Sequence, residues 1–298
     1  RIDINCKMFP IHSSTGQRFL WVGGMLLVLA GLLHVPVWWI DGGSWEGSVS
    51  WRKPILFGIS TGMTLCSLGW ISANLKPSKF HSWLGVVVSS ALVIEVFLIT
   101  MQQWRQVPSH FNQSSSFNAG VDNVMLAMIV IATVGIVYFG VRCFSRKLTL
   151  PSDQRLAVQC GMIFLVVSCM IGFVISHFGY QQVSAGLSPE KYGQQGVTKF
   201  PHGAAIHALQ YLPIGAWILS YLQVEETNRK TSVAAWSLSM ACFLTFACHQ
   251  TLLGLGRFDW TPTGMVLMAL SALLIIYPVR FLIPNFEPAI YNSQASQK

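Results

Sequence analysis

Charge is what this chain has least of. Only 10% of its 298 residues are Asp, Glu, Lys or Arg, against about 25% in a soluble domain. The 19 Lys and Arg against 11 Asp and Glu leave a net charge of +8. No basic block gathers that charge into a nucleic-acid-binding face. Short connections between apolar runs carry most of it, which is the pattern of a membrane protein. The seven cysteines include no CxxC pair, and most lie in or beside apolar runs, so a disulfide framework is not expected. No apolar run carries a lysine at its centre, which argues against a retinal Schiff base. No phosphate-binding loop, GxSxG elbow or dinucleotide fingerprint stands in a suitable context. Nothing near the start reads as a cleavable signal peptide.

What the chain has is hydrophobicity: 52% apolar residues and a mean hydropathy of +0.51. A bilayer-spanning helix needs about 20 mostly apolar residues. Eight runs meet that length, at about 18–40, 54–74, 82–104, 122–142, 156–178, 202–222, 233–255 and 261–283. The connections leave no room for a soluble domain. The expected fold is therefore one all-α integral membrane domain over 1–298, a polytopic bundle of about eight helices. Thirteen Lys and Arg fall on the side that receives both termini, and six fall on the other. The positive-inside bias places both termini in the cytoplasm.

Polar residues inside apolar spans are costly and face the protein interior or a wet cavity. The run that opens at Phe200 carries His207, Gln210 and Tyr211 at i, i+3 and i+4, on one helix face. At about 1.5 Å of rise per residue, His34, His207 and His249 each lie roughly 7 to 9 Å inside the outer end of a span. His177 and His202 stand at the rim of this layer, and Glu95 stands somewhat deeper.

Facing imidazoles on bundle helices hold haem iron or a metal ion. The expectation is a haem b with two of the three histidines as axial ligands. Alternatively, all three bind a transition metal, with Glu95 as a fourth ligand or proton acceptor. Gln210, Tyr211 and Gln250 would hydrogen-bond the ligands from behind. Taken singly, an intramembrane histidine is more often a hydrogen-bonded packing residue. Glu95 has no polar neighbour in its own run, so it is expected to be protonated or paired, as a proton-relay group. Arg52, Lys53 and Arg105 at the outer surface would hold an anion such as a lipid phosphate or a haem propionate.

The segment Gln103-Trp104-Arg105-x-Val107-Pro108-Ser109-His110-Phe111-Asn112 and the segment His207-Ala208-x-Gln210-x-x-Pro213 resemble stretches of uncharacterised bacterial multi-pass membrane proteins. The resemblance covers about a tenth of the chain. It implies an integral protein of the bacterial cytoplasmic (inner) membrane and brings no activity with it. The functional expectation is thus a haem- or metal-binding redox protein that receives electrons or substrate from the outer side or from the quinone pool. The alternatives are a small-solute carrier or channel using Glu95 and the histidines, and a non-catalytic subunit that contacts other membrane subunits.

Overall fold

The computed structural model describes residues 14–145 and 148–281. Cys6 and His12 lie outside the described residues, as do Arg146, Lys147 and the last two residues of the eighth expected span.

The helices in chain order are α1 (Thr15–Asp41), α2 (Arg52–Ala73), α3 (Lys79–Trp104), α4 (Ser116–Cys143), α5 (Ser152–Ser184), α6 (Phe200–Ile206), α7 (Ala208–Tyr221), α8 (Glu226–Leu252) and α9 (Pro262–Ile276). A 3-10 turn, Tyr277–Phe281, follows α9. A two-stranded hairpin, β1 (Lys191–Tyr192) with β2 (Gly196–Val197), precedes α6. Among the described residues, seven helices are long and apolar enough to cross a membrane. The expected sixth span is the exception, because the chain breaks at His207 into α6 and α7. The fold is thus the expected all-α polytopic bundle with one interrupted element.

Local signals set the boundaries. Ser14, Ser78, Ser115 and Thr261 each accept a backbone N–H from the first turn of the helix they precede, the ordinary work of an N-cap hydroxyl. Gly42 ends α1 in the left-handed region, with its N–H on the Trp38 carbonyl. Helices α1, α3 and α4 begin three to six residues earlier than hydropathy alone places them, because capped polar turns extend the helix beyond its apolar run.

Helix α1 packs on α2 and α3, α3 on α4, and α4 on α5. Helix α5 packs on α6, α7 and α8, with α9 on the far side of α8. Small residues hold α1 against α2: a Cβ built on Gly62 would stand 2.6 Å from the Gly24 carbonyl oxygen. Such close backbone contact is how helices associate where lipid removes the hydrophobic drive. One core, including Leu20, Leu65, Leu68, Val88, Phe139 and Met162, fills α1 to α5. A second, including Ala208, Leu212, Ala216 and Trp236, lies between α7 and α8. The end that carries the 42–51, 105–115, 185–199 and 253–261 connections is called the outer end, after the positive-inside expectation.

Candidate functional site

The interruption at His207 is the feature around which polar groups gather. Helix α5 packs against both sides of the break. Before it, the His202 carbonyl in α6 accepts the Ser168 hydroxyl of α5 at 3.0 Å. Two residues beyond the break, Gly161 of α5 lets the Leu209 backbone approach so closely that a Cβ there would lie 2.7 Å from the Leu209 Cα. Pro213 then removes one more donor from the ladder. Irregular backbone at membrane depth is tolerated where it is enclosed by protein or lines a cavity, and such breaks commonly mark binding sites.

His207 is held lightly. Its Nδ1 lies 3.3 Å from Gln210 Oε1 and its Nε2 lies 3.3 Å from the Ser60 hydroxyl of α2. An amide oxygen only accepts, so Nδ1 carries the proton and Nε2 accepts from Ser60. The Gln210 amide nitrogen donates to Ser67 at 3.1 Å. Distances of 3.3 Å lie at the weak end of the hydrogen-bond range, so another acceptor can replace either partner. Beneath this cluster lies a cavity of about 460 Å³, lined by His207, Gln210 and Tyr211 at its polar end. Met63, Ile214, Ile218, Leu222, Trp236 and Ile275 line its apolar length. Tyr211 packs on Trp236, with ring centroids 5.7 Å apart. Among the described residues, no charged side chain lines the cavity.

The three-histidine layer is not assembled. Both His34 ring nitrogens are taken: Nδ1 donates to the Ala30 carbonyl at 2.7 Å, and Nε2 accepts the Trp104 indole N–H at 3.1 Å. The ring also stacks on Trp51 at 5.8 Å. Helix α1 packs on α2 and α3, whereas α8 packs on α5, α6, α7 and α9. His34 and His249 therefore sit on different flanks, and similar depth does not bring them together. His249 bonds Gln250 Oε1 at 3.3 Å. His177 lies on an exposed face of α5 beside Gln181. Among the described residues, no group of three or more His, Cys, Asp or Glu side chains is placed to hold a metal ion. These side chains as placed do not fit the three-ligand centre expected from the sequence.

Glu95 is buried in α3, close to Cys169 of α5, and makes no ion pair among the described residues. It does not line the His207 cavity. Arg105 stays apart from Arg52 and Lys53. Its Nη1 donates to Gln102 and to Asn118, the latter at 2.9 Å, and its guanidinium covers the Phe117 ring at 4.6 Å. It ties the end of α3 to the start of α4.

Sequence reasoning passed over the acceptor that organises the 105–115 connection. Asp122, 3% exposed, accepts from the Phe111 backbone N–H at 3.1 Å, the Gln113 amide at 3.1 Å and the Tyr180 hydroxyl at 2.8 Å. Gln106 and Phe111 are left-handed, with φ of 55° and 59°, a conformation that a bulky residue holds only when its surroundings fix it. The signal was a carboxylate at the first residue of the expected fourth span, which the structure places nearly two turns into α4. Within this connection, burial first and then the charges of Lys53 and Lys199 push the His110 imidazole down to about 3.

Fold and site together define an all-α, multi-pass membrane protein with one discontinuous helix whose break lines a lateral cavity. Comparison with protein-family models, with curated proteins and with solved structures gives no match for this chain.

Proposed function

We infer that the protein binds a lipid-soluble ligand with a neutral, hydrogen-bonding head and an apolar tail, of the quinone class. One observation carries this reading. Among the described residues, the polar groups lining the cavity all sit at the helix break, and the rest of its length is apolar. From His207 to Leu222 the helical rise amounts to roughly 20 Å, a length suited to a prenyl tail. Met63, Ile214, Ile218 and Leu222 are exposed along the flank of the bundle, so the ligand would enter sideways from the bilayer.

The head would be recognised by exchange of weak bonds. A quinone carbonyl accepts a hydrogen bond, and His207 Nδ1–H and the Gln210 amide are the donors at hand. The His207 Nδ1 bond to Gln210 is long at 3.3 Å, so replacing it costs little, and the Gln210 amide is held by one 3.1 Å bond to Ser67. A cavity wall built from uncharged side chains favours a neutral head over a carboxylate or an amine, since an uncompensated charge would have to be desolvated.

A carrier reading built on Glu95 draws nothing from this cavity, which Glu95 does not line. A haem or metal reading through His207 and His249 has the packing of α7 on α8 behind it. The test is ligand retention. Lipid extracts of the purified protein should contain a quinone in stoichiometric amount, and His207→Ala with Gln210→Leu should remove it. Extracts free of quinone, or retention unchanged in the double variant, would refute the reading.

A further inference from the structure

At the outer end, the hairpin β1–β2 brings Glu190 and Lys199 side by side. The Thr198 N–H and hydroxyl both bond the Glu190 carbonyl, at 3.3 Å each, and close the hairpin's base. The Thr251 hydroxyl at the end of α8 donates to Val197 at 3.0 Å and pins the hairpin to the bundle. Glu190 then meets the start of α2. Lys199 Nζ lies 2.8 Å from Glu190 Oε1, and Arg52 Nη2 lies 3.9 Å from Glu190 Oε2. Lys53 is close enough for its charge to act on both Glu190 and Lys199. Three cations thus surround one partly buried carboxylate.

The cluster is short of negative charge and of acceptors. Lys53 is 8% exposed, yet its ammonium donates to a neutral group, the Ser48 carbonyl at 2.5 Å. The Arg52 side chain is 17% exposed, and its two carboxylate contacts, to Glu46 and Glu190, are both 3.9 Å. That is too long for a hydrogen bond. Among the described residues, the Arg52 guanidinium therefore has no acceptor at bonding distance. Glu46 adds little compensation, because its side chain is 79% exposed and water screens it. A guanidinium with unfilled donors beside two ammonium groups matches the several oxygens of a phosphate-class anion. Burying like charges is tolerated where a counter-charge enters with them.

We propose that Arg52, Lys53 and Lys199 form a binding site for a phosphate-class anion at the outer end of the bundle, with Glu190 as the fixed counter-ion that spaces them. The anion is either the phosphodiester of a lipid headgroup or a free phosphate. The site is independent of the neutral-head cavity at His207, so neither proposal falls with the other.

Native mass spectrometry of the detergent-purified protein, with phosphatidylglycerol or phosphatidylcholine added, tests the lipid source. Calorimetric titration with inorganic phosphate tests the free source. Binding in either arm is expected to weaken at least tenfold in Arg52→Gln/Lys199→Gln and to stay within twofold in Lys191→Gln, which alters an exposed hairpin cation. Lipid retention alone identifies a headgroup site, and phosphate binding alone identifies a solute site. As a readout needing no variant, phosphate should raise the melting temperature of the wild-type protein above that in chloride of equal ionic strength, or phosphatidylglycerol should do so above phosphatidylcholine. No binding in either arm, no such stabilisation, or affinity unchanged in the double variant would overturn the proposal.

Discussion

The Ser60 hydroxyl and His207 Nε2 lie 3.3 Å apart across 147 residues of sequence, and they tie α2 to the helix break at the polar end of the cavity. Because Nε2 accepts from Ser60, that bond helps keep the proton on Nδ1, the nitrogen proposed to meet the ligand. Ser60→Ala should therefore weaken binding of a short-chain quinone analogue by about three- to tenfold, the value of one modest hydrogen bond of about 1 kcal/mol. His207→Ala should weaken it much further. Equal affinities in all three proteins, measured by equilibrium binding in detergent, would contradict the assignment.

The helix contact between α1 and α2 yields a prediction of sign. Gly→Ala in an exposed helix interior gains about 1 kcal/mol from propensity. At Gly62 the new Cβ would meet the Gly24 carbonyl at 2.6 Å, and backbone cannot step aside. Overpacking of this kind costs about 1–3 kcal/mol, so Gly62→Ala should lower the melting temperature. A Cβ added at Gly120 in α4 would meet nothing within 4 Å among the described residues, so Gly120→Ala should leave it unchanged or raise it. Thermal unfolding of the two variants in one detergent decides the matter.

Seven of the eight spans were legible because about 20 apolar residues in a row admit few other structures. The interrupted span was not, since the contacts that flank the break, the Ser168 hydroxyl and a close approach at Gly161, lie on another helix. The polar trio His207, Gln210 and Tyr211 was readable from its spacing, and all three do line one cavity. The convergence of His34 and His249 on them was not readable. Depth along a helix follows from sequence, whereas its position around the bundle depends on packing order. Arg52 and Lys53 were visible as outer cations, but their partner Lys199 arrives through a hairpin fold of the 185–199 connection, and Arg105 is occupied elsewhere.

Acid should loosen the outer connections. The His110 imidazole has an ordinary value of 6.5 and is pushed down to about 3, so the folded protein resists a proton that the unfolded chain accepts. Its contribution is present above about pH 6.5 and is lost as pH falls toward 3. For Glu190, burial opposes ionisation, but Lys199, Lys53 and Arg52 outweigh it and hold the carboxyl below its ordinary 4.5. That contribution is present above 4.5 and is lost as pH falls below it. Melting temperature should decline from about pH 6.5 downward and more steeply below 4.5, and His110→Gln should reduce the first slope. A His110 ring that titrates near 6.5 by nuclear magnetic resonance would contradict this.

At the opposite end of the bundle, Asp153 is 1% exposed, and its Oδ2 accepts from Arg229 Nε at 2.6 Å. Arg229 also donates to the Val224 carbonyl at 2.6 Å, so it joins α5 to the turn before α8. Removing one partner strands the other, at a cost of about 3–5 kcal/mol. Asp153→Asn and Arg229→Gln should each destabilise by that order, and the double variant by less than their sum. Additive losses in a double-mutant cycle would show that the pair is not coupled.

The most direct test of the account is photoaffinity labelling in proteoliposomes with a prenyl-tailed quinone, followed by peptide mapping. Label should concentrate on residues 207–222, Met63 and Trp236, and should fall away in His207→Ala/Gln210→Leu. Label spread evenly over the lipid-facing sides of α1, α4 and α9, or a pattern untouched by the double variant, would contradict a binding site at the His207 break.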